Sequence, residues 1–214
     1  MCIAPANHGS YPLLQAVGLT CCYPNSGQGI QEVSLPLKRG SFTVIAGGRG
    51  AGKTTLLRAL LGHLPLDAGE IRWHGRPLTS GLVTSMPFTG SAVVDAGNVL
   101  AAPRCAYLAQ ARSKDAHTVR EGMACLLESE AELLLVDDLS TVLEAQEECV
   151  LWDALFARRL FRRQGACLAV SNRQPALSRA DHIVVLSQGR VVGEGRLEAL
   201  LQTCPEMRRI WTRP

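Results

Sequence analysis

The chain has 214 residues, of which 47% are hydrophobic and 19% charged. That length fits one domain, with room for a large and a small lobe, and the composition excludes a chain too polar to bury a core. Aromatic residues make up only 5%, so the core is expected to be aliphatic, and a net charge of +3 is weak evidence for an acidic partner.

In chain order, "MCIAPANHGSYPLL" lacks a basic start and a continuous apolar run, which makes it a poor signal peptide. Residues 1–11 read as a tail and 12–211 as a single domain. "SLPLKRGSFTVIA" reads as two strands about a Lys-Arg-Gly turn, the second of which runs into "GGRGAGKTT". A helix is expected through "TTLLRALLGHL", then a strand and tight turn in "EIRWHGRPL". Residues 79–103 hold small residues, Gly and Pro with almost no charge, and read as a loop or disordered insert. "CAYLAQ" is a short strand. Thr118 and Glu121 form a capping box for a helix over 118–130. "ELLLVDD" is a buried strand that ends in two carboxylates. An amphipathic helix over 144–163, the strand "ACLAVS", a hairpin turning at Gln188–Gly189 and two closing helices complete the chain. Strands alternating with helices predict an α/β fold with a largely parallel central sheet and flanking helices.

Eight cysteines include no C-x-x-C pair, and no histidine is spaced with them for zinc. Most lie in apolar runs, which points to free thiols in a reducing, cytosolic compartment. Arg158, Arg159, Arg162 and Arg163 read as a solvated helix face, so no nucleic-acid partner is expected. No stretch approaches the ~20 apolar residues of a membrane helix; service to a membrane would need a partner.

Gly47-Gly48-Arg49-Gly50-Ala51-Gly52-Lys53-Thr54 fits G-x-x-x-x-G-K-[ST]. Glycines let consecutive backbone N–H groups face a phosphate, and the following helix adds the partial charge of its N-terminus. Lys53 is placed to reach the β- and γ-phosphates, and Thr54 to offer a hydroxyl to Mg²⁺. The expected ligand is therefore a nucleotide with Mg²⁺, cradled by Gly47 to Thr55. A phosphate-bound Mg²⁺ needs a second anchor at the end of a nearby buried strand, and Asp137 after "LLLV" supplies one. The other reading of Asp137 is a helix cap. Arg49 and Arg58 flank the loop and read as solvent-facing charges.

Together these motifs resemble the nucleotide-binding domain of ATP-binding cassette (ABC) transporters, exporters especially, over residues 15–211. "GSFTVIAGGRGAGKTTLLRALLGHLPLDAGEIRWHG" is similar to the family's strand, phosphate loop, helix and hairpin almost without a break. Tyr23 stands where the family stacks an aromatic ring on adenine. Gln110 resembles the glutamine that contacts Mg²⁺ and the membrane partner. "LLLVDDLSTVLEAQEE" resembles the segment holding the Mg²⁺ aspartate and the residue after it. "CLAVSNRQPALSRADHIVVLSQGRVVGEGRLEALL" resembles the switch strand and closing hairpin. The resemblance implies a P-loop NTPase with an N-terminal antiparallel β part. It also implies a transmembrane partner, a second nucleotide-binding domain, and a cytoplasmic position at the inner face of the membrane. Asp138, Gln110 and Asn172 would be the catalytic positions, and Thr54, Asp137 and Gln110 the metal positions.

The sequence departs from the family in four places. Asp137 follows Gln110 by only 27 positions (137 − 110), and no LSGGQ-like signature lies between them, so the helical subdomain is expected to be truncated. Asp138 replaces the usual Glu and is one CH₂ shorter. Asn172 replaces the switch histidine and carries no charge. Glu144 stands at a position where the family has Asp. Hydrolysis is expected to be weak or to depend on a partner. Alternatives for single residues are a strand-end aromatic for Tyr23, a solvated loop residue for Gln110, a cap or backbone contact for Asp138 and a turn residue for Asn172.

Overall fold

The computed structural model describes residues 11–23, 27–78, 105–108, 131–141, 143–159 and 165–212. The expected insert at 79–103, the helix at 118–130, Gln110 and the side chains of the arginine cluster at 158–163 lie outside the described residues, as do residues 1–10 of the expected tail.

Two sheets carry the fold. The first is antiparallel, in the order β2–β1–β4–β5, built from β1 (Leu14–Cys22), β2 (Gly29–Leu37), β4 (Ala68–Trp73) and β5 (Arg76–Pro77). The second has six strands, in the order β10–β9–β3–β8–β7–β6. In it, β3 (Phe42–Gly47), β6 (Cys105–Leu108), β7 (Leu133–Val136), β8 (Ala166–Val170) and β9 (His182–Ser187) run parallel, and β10 (Arg190–Gly195) is an antiparallel edge. The two strands of "SLPLKRGSFTVIA" belong to different sheets. Their turn hands the chain from one sheet to the other, where the Gly40 N–H donates to the Gly165 carbonyl at 2.7 Å.

Strand alternation divides the core into two layers. Ile45, Leu168 and Val170 face α1 (Lys53–Leu61) and the antiparallel sheet. Phe42, Val44, Ala46, Cys167 and Ala169 face the other way, onto α2 (Ala145–Arg159), α3 (Gln174–Arg179), α4 (Leu197–Thr203) and α5 (Pro205–Trp211). The core is mostly aliphatic, as the composition predicts. Its aromatic knot is Phe42 against Trp152 and Phe156, with ring centroids 5.0 and 5.1 Å apart. Among the described residues no cysteine is joined in a disulfide, and Cys21, Cys105, Cys167 and Cys204 are buried.

The hairpin turns where the sequence places it. Gln188 and Gly189 have φ of 49° and 76°, the paired positive values of a tight turn that matches strand twist. This turn reaches across the molecule. Its Gly189 N–H donates to the Ala51 carbonyl at 3.0 Å, and its carbonyl accepts from Gln31 N–H at 2.8 Å. Helix α3 was not foreseen; at six residues it is too short to show a periodic face.

Trp152 is 1% exposed, and its indole N–H donates to Glu148 at 2.9 Å. Trp152→Ala should destabilise the chain by about 3–5 kcal/mol, the cost of emptying a large core site. Urea denaturation followed by far-UV circular dichroism measures it as a lower midpoint.

Candidate functional site

The parallel strands deliver the site at their carboxyl ends, where open α/β sheets hold ligands. β3 runs out at Gly47, β7 at Val136 before Asp137, and β8 at Val170 before Ser171 and Asn172. Cross-strand bonds hold these ends level: Asp137 N–H donates to Leu108 O at 2.9 Å, and Ser171 N–H to Ile45 O at 3.2 Å.

The loop between β3 and α1 needs its glycines for two different reasons. At Gly47 the chain passes so close to β9 that a Cβ would run into the Leu186 carbonyl oxygen. Gly52 caps α1 with φ of 102°, a conformation that L side chains rarely adopt, and a Cβ there would sit 3.0 Å from Ile30. Lys53 closes the loop by donating to the Gly47 and Gly48 carbonyls at 2.7 and 2.9 Å. Burial lowers the Lys53 pKa, against the pull of Asp138 and Asp137. Thr54 follows on the first turn of α1, half-buried, and Thr55 is buried beneath it.

Asn172 grips the start of this loop with both ends of its amide. Its Oδ1 accepts the Gly47 N–H at 3.0 Å, and its Nδ2 donates to the Gly47 carbonyl at 2.9 Å. Where the sequence resemblance implies a switch histidine, the chain thus has a two-bond backbone clamp.

The two acids of "LLLVDD" are used differently. Asp137 is 3% exposed, and its Oδ1 has no hydrogen-bond partner among the described residues. Burial first, and then the Asp138 charge, push its pKa up to about 6. A buried carboxylate oxygen left without a donor suits a hard divalent cation, which takes oxygen ligands. The residues present therefore fit Mg²⁺, and the glycine loop fits phosphate. Asp138 is half-buried, and its Oδ1 accepts the Ser140 N–H at 3.0 Å, closing a local turn.

Gly48, Arg49, Lys53, Asp138 and Asn172 line one cleft. Tyr23 is not among the residues lining it. It lies half-buried at the end of β1, where its hydroxyl accepts from Arg58 at 3.3 Å. Arg58 is exposed, as read from the sequence, but it has this partner. Sequence reasoning missed Arg173. This residue donates to the Leu143 and Ser140 carbonyls at 2.5 and 2.9 Å and pairs with buried Glu148 at 3.4 Å. It ties the segment after Asp138 to α2. Partners some thirty positions away leave no local pattern to find. Glu144 precedes α2, and its N–H is capped by the Glu147 carboxylate at 3.1 Å.

Two measurements test this geometry. Asn172→Ala removes both clamp bonds and should lower stability by about 2 kcal/mol, at roughly 1 kcal/mol per bond, read as a lower urea midpoint. The second concerns pH. Asp137 binds its proton more tightly folded, at about 6, than at the ordinary 3.8. Its contribution is therefore full below pH 4 and is lost as pH rises through 6. In metal-free buffer, Asp137→Asn should match the parent at pH 4 and exceed it by about 2 kcal/mol at pH 7. Equal pH profiles for the two proteins would contradict the burial assigned to Asp137.

The ABC transporter family model matches residues 30–174. The chain is 25% identical over 236 residues to the energy-coupling factor transporter ATP-binding protein EcfA1 of Geobacillus kaustophilus, covering 93% of this chain and 84% of that protein. It is 27% identical over 248 residues to the mycobactin import ATP-binding/permease protein IrtB of Mycolicibacterium smegmatis, covering 98% of this chain. It spans only 42% of that relative. Among solved structures, an ATP binding subunit of an ABC transporter superposes with a TM-score of 0.66 at 17% identity, covering 92% of this chain and 97% of that one. A bacterial Atm1-family ABC exporter with ATP bound gives the same score and identity over 95% of this chain and 42% of that chain. At such identity the likeness shows the fold alone. The family model, matching well over half of the sequence, decides membership: the chain belongs to the ABC transporter family, as an ATP-binding domain with the P-loop NTPase fold.

Proposed function

We propose that residues 12–211 form one nucleotide-binding domain that takes ATP with Mg²⁺ and couples it to transport by a membrane-spanning partner. Export is the direction implied by the sequence resemblance. A second nucleotide-binding domain, in a homo- or heterodimer, would complete the site. The observation that carries this reading is the meeting of three things at one sheet end: the glycine loop, the Lys53 ammonium and a buried Asp137 oxygen with no partner among the described residues.

The backbone of Gly47 to Thr55 and the N-terminus of α1 receive the phosphates. Lys53 adds its charge, and Tyr23 stacks on the adenine. The Thr54 hydroxyl, Asp137 and Gln110 hold Mg²⁺, which neutralises phosphate charge when bound. Asp138 orients the attacking water, with a shorter reach than glutamate would give. The sequence resemblance gives it a peripheral place at the inner face through the partner; among the described residues no helix is long and apolar enough to cross a membrane.

Hydrolysis by the isolated chain is expected to be slow, and a second reading follows from the same geometry. Asp138 is engaged with Ser140, and both ends of the Asn172 amide hold Gly47. That arrangement favours a module that binds ATP and regulates without turnover. Single-turnover hydrolysis separates the two readings: acceleration on adding a partner domain, lost in Asp138→Ala, supports the transport ATPase.

Calorimetric titration with Mg·ATP tests the common ground. The parent should bind, and Lys53→Ala should weaken binding by about 100-fold, as expected for loss of a strong charge-assisted contact. A Kd unchanged by that substitution would sink the phosphate-loop assignment.

A further inference from the structure

Four arginines line the cleft in front of the phosphate loop: Arg49, Arg173, Arg179 and Arg209. Three are committed to the protein itself. Arg173 holds two carbonyls and Glu148. Arg179 pairs with Asp153 at 2.8 Å and donates to the Pro175 carbonyl at 3.0 Å. Arg209 pairs with Glu206 at 3.3 Å. Arg49 is exposed at the tip of the loop and makes no hydrogen bond or ion pair among the described residues.

The remaining donors of the cleft sharpen the contrast. The Lys53 ammonium sits on the Gly47 and Gly48 carbonyls. The Asn172 amide is held by Gly47 at both ends. Two carboxylates, Asp138 and Glu206, also line the cleft, and the second is already matched by Arg209. The unclaimed positive charge is therefore the Arg49 guanidinium, carried on the backbone that receives phosphate. An exposed arginine elsewhere would be an ordinary solvated charge. Here it lines the same cleft as Gly48 and Lys53, and the two parallel N–H bonds of its planar fork suit the oxygens of a phosphate.

We propose that Arg49, the cleft cation that no other described group engages, grips the terminal phosphate of ATP and so lets the chain distinguish ATP from ADP. This rests on the loop's being the ATP site. The contact is made within one chain, as an arginine supplied in cis. The contact needs no second domain, and no covalent bond changes.

Titration calorimetry in Mg²⁺ buffer tests it, with the parent, Arg49→Ala and Arg49→Lys each titrated separately with ATP and with ADP. Arg49→Ala should weaken ATP binding by about 10- to 100-fold, the range of a hydrogen bond to a charged group, and leave ADP within about twofold. Arg49→Lys should fall between, because it keeps the charge but loses the fork. ADP binding also shows that the variants are folded. Equal losses for both nucleotides, or undiminished ATP binding by Arg49→Ala, would overturn the role of Arg49 while the ATP site stands. A parent that binds neither nucleotide would overturn both.

Discussion

Everything at the site depends on where Gly47 is held. It is the last residue of β3, which lies between the parallel neighbours β8 and β9. From β9 the Leu186 carbonyl crowds it so closely that only glycine fits. From the end of β8 the Asn172 amide binds both its N–H and its carbonyl. Lys53 returns from the first turn of α1 to the same carbonyl. One peptide position thus joins the middle of the sheet, the end of β8 and the helix. The bend that follows is shaped by the fold before any ligand contributes.

The acids at the end of β7 show how a difference in solvation divides two neighbouring carboxylates. Asp137 lies in a buried strand end, where desolvation disfavours its charged form. Its neighbour, one residue on, reaches a partly open position and satisfies itself on the backbone of Ser140. The first is poised to gain from a cation. The second is already satisfied locally. Chemical identity is the same in both, and position alone sets the roles apart.

What the sequence revealed, and what it hid, follows from how far each signal reaches. The phosphate loop was legible because its glycine spacing answers to local backbone geometry. The Asp137 position was legible because four buried residues, Leu133 to Val136, mark a strand and its end. The turn at Gln188–Gly189 was legible because Gly189 accepts positive φ freely between two apolar runs, although Gln188 takes a positive φ that its residue type does not favour. The crossing between sheets at Lys38 to Gly40 was not, since strand–turn–strand looks alike whether the strands pair or part. Arg58 read as a solvent-facing charge and Arg173 drew no reading at all, because their partners lie 35 and about 30 positions away. Asn172 stood at a position that the family resemblance marked, but a motif position does not tell which group a side chain will hold.

The hairpin turn at Gly189 has a consequence for how such a chain tolerates change. Its bonds to Ala51 and Gln31 join the loop, the antiparallel sheet and the last hairpin at one point. The segments that meet there come from the first third and the final fifth of the sequence. The stretch between Gln110 and Asp137 contributes none of these three partners. The bend of the phosphate loop is therefore braced at once by a strand of the antiparallel sheet and by the turn of the closing hairpin. A substitution that reshapes the Gln188–Gly189 turn would thus shift the loop at Ala51 and the strand at Gln31 together, so a defect at one end of the sequence would be felt as a distorted loop near the other.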